Sequence, residues 1–224
     1  KHFSTIGVAV AVFAFGAATL SGQREQSAPA PVSTSKEAHV QIGHVMTISP
    51  ETPNKQGFLV IAVADAKVAA AHAGLMQQSP DDLDSMKLHA AHVLHALDAT
   101  LLPTGPGSGY GVERAAAGAL RHIQLAAQSA GASQNVQTHA VHVSASLGNV
   151  TEWTGQAITT AQRIRTARTA PEAAALVSEV VRYTDSIMKG TDANRDGSIG
   201  WQSGEDGLAQ AQGHMDLMAK GEGL

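Results

Sequence analysis

Six of the chain's eleven histidines fall into two sets of identical spacing. His72 precedes His89 and His92 by 17 and 20 positions, and His122 precedes His139 and His142 by the same intervals. Residues three apart lie on nearly one face of a helix. An interval of 17 residues is long enough for the chain to turn back, so each set puts one imidazole on a first helix and two on an antiparallel second. Three neutral imidazoles converging in this way fit zinc, copper or iron, and a pair of them fits the axial positions of a non-covalent haem. The same residues have a plainer use: buried histidines hydrogen-bond to backbone or to one another, and exposed ones are simply polar helix residues. His95 adds a turn to the first set but meets Ala145 in the second, while His39 and His44 lie where they could complete a site. So many histidines also open the route to a pH switch.

A second constellation carries oxygen donors. Asp192, Asn194 and Asp196 alternate along the chain and are followed by Gly197, Ser198 and Ile199. A hard cation takes carboxylate, amide and carbonyl oxygens at this spacing, with a glycine where the chain turns sharply. These dozen residues resemble the EF-hand calcium loop. The resemblance implies Ca2+ held by Asp192, Asn194, Asp196, the Ser198 carbonyl and a closing acid. Position twelve is Ser203, where the family has a bidentate Glu, and Glu205 is the acid that could take its place through a longer loop. The alternative is an Asx-rich turn that binds nothing.

The elements that must position these residues are helices. Hydrophobic residues make up 43% of the chain but aromatics only 4%, a balance that favours alanine-rich, closely packed helices over strands. Residues 56–77 read as one helix. Ser79, Pro80, Asp81 and Asp82 supply an N-cap, a first-turn proline and acids at the positive end of a second helix that runs to about 98. The glycine- and proline-rich run at 101–111 breaks the chain. Further helices are expected at 112–130 and from 133 to 168, the latter either continuous or broken at Gly148. Thr169 and Glu172 form a capping box around Pro171 for a helix ending at Gly190. A last helix follows the acidic loop at 205–220.

A shift of fifty positions superimposes the two histidine sets and also brings HAAHV at 89–93 over HAVHV at 139–143. One helical hairpin has been duplicated on this reading, giving a bundle over 56–190 with the loop and last helix at 191–224.

Residues 3–20 carry no charged side chain. Eighteen residues at helical rise cover about 27 Å, close to the hydrocarbon thickness of a bilayer. A cleavable signal has the same grammar, and a retained transmembrane anchor is expected. Gly7, Ala9, Ala11, Ala14, Gly16 and Ala18 give it a small-residue surface suited to packing on other membrane helices. Lys1 and His2 on one side, with an acidic-leaning domain on the other, place the large domain on the extracytoplasmic, periplasmic side. Residues 21–55 are expected as an extended linker and an irregular lead-in containing Pro50 and Pro53.

The fold class is therefore all-α: a single N-terminal transmembrane helix plus a soluble bundle with an internally duplicated hairpin. A formal charge of −4 with 15 Lys and Arg spread along the chain speaks against nucleic acid as a partner. The absence of cysteine removes disulfides, thiolate metal sites and iron–sulfur clusters. No nucleophile elbow, phosphate loop or placed carboxylate pair is present, so neither an enzyme nor a small-molecule substrate is expected. Two functions fit. One is a non-catalytic, membrane-anchored accessory subunit of a larger complex, of respiratory or photosynthetic type, with other transmembrane subunits as partners. The other is a histidine-based module that binds a transition metal or haem for electron transfer or metal handling.

Overall fold

The computed structural model describes residues 35–224. The expected anchor at 3–20 and most of the expected linker lie outside the described residues. Those described form seven α-helices and no strand: α1 Lys36–Met46, α2 Phe58–Gln78, α3 Leu83–Leu97, α4 Val112–Gln128, α5 Gln134–Thr166, α6 Ala170–Lys189 and α7 Leu208–Glu222. The two longest, α2 and α5, are the axes of the bundle. α2 packs on α3, α4 and α6, whereas α5 packs on α3, α4, α6 and α7.

Alanine sets how closely these helices meet. Ala62, Ala66, Ala69 and Ala73 of α2 are all at most 1% exposed, and their spacing of three or four residues makes one stripe along the helix. Ala115, Ala116, Ala119 and Ala126 do the same for α4, and Ala157 and Ala161 for α5. Larger side chains, among them Phe58, Ile61, Met86, Leu97, Ile123, Leu147 and Ile164, fill the space between the stripes. Among the described residues, α2 alone is long and apolar enough to cross a membrane. Here it is the inner helix of the bundle, and it buries Asp65, whose carboxylate accepts hydrogen bonds from the amides of Ser108 (2.7 Å) and Gly111 (3.0 Å). That contact ties the glycine-rich loop down between α3 and α4.

Two helix starts differ from the sequence reading, and the continuity of a third helix through Gly148 is decided. Residues 36–46, expected as linker and irregular lead-in, are helical: Ser35 caps the first turn by accepting from the Ala38 amide, and Ala38, Ile42 and Val45 bury one face. The N-cap of α3 is Asp82 and not Ser79, because the Asp82 carboxylate reaches the Ser85 amide at 2.9 Å while Ser79 closes the end of α2. α5 runs unbroken through Gly148. A glycine in a helix interior costs only about 1 kcal/mol relative to alanine, and buried Leu147 and Val150 on either side hold the helix against its neighbours.

Candidate metal centre

Hairpin geometry builds the first histidine cluster. His72 lies six residues before the last residue of α2, and His89 six residues after the first of α3, so the two stand at one height when the helices fold back on each other. His92 follows on the same face. The Nδ1 atoms of His72 and His89 are 3.0 Å apart, and those of His72 and His92 are 3.3 Å apart. All three rings are half-buried and present ligand atoms within 4.8 Å of one another.

The second hairpin does not repeat this arrangement. His139 and His142 on α5 converge as expected, but the third imidazole is His214 of α7. The Nδ1 atoms of His139 and His214 are 3.1 Å apart, the His142 and His214 ring centroids 4.5 Å apart, and the Nδ1 of His142 is buried with no hydrogen-bond partner. His122, expected in this set, is elsewhere. α1 covers α4 and draws the ring toward itself: His122 Nδ1 lies 2.5 Å from Gln41 Oε1 and 3.3 Å from His44 Nδ1, and its Nε2 lies 3.0 Å from Glu51 Oε1. Phe58 stacks on the other side at 5.1 Å, and Arg121 pairs with Glu51. His44, Glu51 and His122 are close enough to form a mixed nitrogen–oxygen set, yet both nitrogens of His122 are already engaged.

His214 was missed because it stands alone in its helix, 72 residues after His142, and has no counterpart in the repeat. A signal did exist. It is the one histidine beyond the repeat, in a segment expected to be helical. The remaining histidines have local duties. His95 is buried, with Nδ1 2.8 Å from the Leu102 carbonyl oxygen. His39 pairs with Glu222 at 3.1 Å.

Burial disfavours the protonated form of several of these rings. Burial, and then the neighbouring imidazoles, holds His92, His139 and His214 below the ordinary histidine pKa. Burial and the Arg121 guanidinium do the same to His122 against the pull of Glu51. A neutral imidazole has the free lone pair a metal needs.

The oxygen-rich loop folds on its own amides. Asp192 accepts from the amides of Asp196 and Gly197, Asn194 Oδ1 from Asp196, and Asp196 from Ser198. Glu205 is buried and accepts from the amides of Asn194 (3.3 Å) and Gly200 (3.0 Å), so this acid, and not Ser203, reaches back across the loop. Next to it, Asp206 is buried against Ser146 and Asn149 of α5. Burial raises its carboxyl pKa in spite of those hydrogen bonds.

Fold and site together define a helical bundle with two imidazole trios, each placed between helices. Comparison of the chain with family models, with curated proteins and with solved structures finds no match.

Proposed function

We propose that this chain is a histidine-based metal-binding module that holds one first-row transition-metal ion at His72, His89 and His92 and a second at His139, His142 and His214. One observation carries the reading. In the first trio the Nδ1 of His72 lies 3.0 and 3.3 Å from those of His89 and His92, in the second the Nδ1 atoms of His139 and His214 are 3.1 Å apart, and each trio presents three ring nitrogens within 4.8 Å of one another. Nitrogens about 2.0–2.1 Å from an ion at a tetrahedral centre stand about 3.3–3.4 Å apart. Hydrogen bonding explains the arrangement less well. Each Nδ1 offers either one proton or one lone pair, so two rings can satisfy each other and the third is left over, as the orphaned Nδ1 of His142 illustrates. The spacing favours a bare ion over haem, because a macrocycle must pass between its two axial nitrogens. The matched His89–His92 and His139–His142 pairs support descent of the two hairpins from one copy.

Metal handling at an extracytoplasmic membrane face, with the apolar segment 3–20 as tether, is the setting that joins this site to the sequence. The reading as an accessory subunit of a membrane complex rests on that segment, whereas the trios rest on geometry. For the loop the reading is Ca2+ closed by Glu205, and sensitised Tb3+ luminescence that is lost in Glu205→Gln tests it. The trios are tested by titrating the purified full chain with Co2+ and Zn2+. Two equivalents are expected, with the visible absorption of four-coordinate Co2+, falling to one in His92→Ala and in His214→Ala. A chain that takes up no ion, or binds equally well without these histidines, overturns the proposal.

A further inference from the structure

Among the described residues Trp201 is the only large aromatic side chain that stands open to solvent, at 56% exposure. It is not part of the apolar core. Its indole lies nearly parallel to the His142 ring, with centroids 4.2 Å apart and planes 25° apart, and edge-on to His214 at 5.7 Å. The ring it covers is the one whose buried Nδ1 has no partner. The backbone beside it is fastened to α5: Asn149 Nδ2 donates to the Gln202 carbonyl and the Gly204 amide donates to Asn149 Oδ1, both at 2.8 Å. The backbone that carries the indole is thus tied to the helix that carries His142. Around the first trio, by contrast, His72, His89 and His92 stack only on one another among the described residues.

We propose that Trp201 makes the second trio a three-coordinate site that prefers a monovalent soft cation, cuprous copper, over zinc, and that the first trio is the open site where zinc can complete four-coordination. This rests on the reading of both trios as metal sites. Zinc held by three imidazoles takes a water as its fourth ligand. An indole packed on two of the three ligand rings occupies space that such a water needs and supplies a π face in its place. That face attracts a cation but offers no lone pair. An ion content with three nitrogen donors loses nothing by the exchange, and zinc loses a ligand.

The test uses the full chain carrying His89→Ala and His92→Ala, so that the second trio is read alone. Cuprous ion is titrated anaerobically against a chromogenic chelator, and Zn2+ against a zinc chelator, with Trp201 intact, with Trp201→Phe and with Trp201→Ala. Far-ultraviolet circular dichroism checks the fold of each. Cuprous affinity is expected to fall about tenfold in Trp201→Ala and by less in Trp201→Phe, with zinc affinity unchanged or improved. One equivalent of cuprous ion should also change the indole emission of the Trp201 chain but not of Trp201→Ala, where Trp153 alone emits. Equal cuprous affinity with and without the indole, or equal weakening of both ions, overturns the role of Trp201. If neither ion binds, or if binding is indifferent to His214→Ala, the second trio itself fails as a metal site.

Discussion

Replacing His92 and replacing His122 should have opposite signatures, although the repeat makes both look like ligands. His92→Ala removes a donor from an open trio, so metal stoichiometry drops from two to one while the metal-free fold is little changed. His122→Ala leaves the buried Gln41 Oε1 without its partner, while exposed Glu51 keeps Arg121. The loss of a buried partner of this kind costs about 1–3 kcal/mol, visible as a lower midpoint in urea, with two ions still bound. Protons compete at the trios. Because His92, His139 and His214 titrate below the ordinary value of about 6.5, the unfolded chain takes up protons first as the solution is acidified. The stability of the metal-free protein is therefore full above about pH 7 and declines as pH falls through about 6.5; denaturant midpoints between pH 8 and pH 5 check the direction. At this scale the first trio was legible in the sequence, because a hairpin with its turn midway between His72 and His89 leaves few other places for the rings. The second was legible only in its HxxH pair. His214 arrives from a helix whose packing partner no local pattern announces.

Three helices show why boundaries and faces were read with unequal success. α5 and α6 declared themselves through Ser133, Thr169 and Gly190, whose capping chemistry is local. α1 has an equally good cap in Ser35 and an apolar face of Ala38, Ile42 and Val45, but it follows a proline-bearing polar run and is short enough to be taken for its continuation. Missing α1 is what misassigned His122, since only a helix lying on α4 supplies Gln41 and His44. The link between α6 and α7 makes a prediction of its own. Asp206 fixes the start of α7 to Ser146 and Asn149, one and two turns beyond the His139–His142 pair. Asp206→Ala should lower stability by about 1–3 kcal/mol and weaken only the second trio. Titrating it beside Asp206→Ala with His92→Ala, which removes the first trio, separates the two sites.

For the molecule as a whole, ions that bind the folded chain alone add to its stability by mass action. A site exposed to free metal at a hundred times its Kd contributes about 2.7 kcal/mol, which for a chain of this size raises Tm by roughly 5–10 °C. A thermal scan of the full chain with and without excess Zn2+ should show that rise, and chelator should reverse it. The all-helical architecture could be read from composition, because alanine-rich stripes and a scarcity of aromatics leave strands little to pack with. Which helices touch could not be read, because alanine stripes fit one another almost interchangeably.

The two trios also differ in how much chain each spans. The first joins residues 72 and 92 and needs only the α2–α3 hairpin, so on the proposed reading it would load while the rest of the polypeptide is still being made. The second joins residue 139 to residue 214, and an ion bound there, as proposed, would act as a staple across a loop more than three times as long. Closing the longer loop restrains the unfolded chain by about 1 kcal/mol more, so depleting the second ion should loosen the carboxy-terminal helix first and expose it to proteases while the early hairpin stays intact.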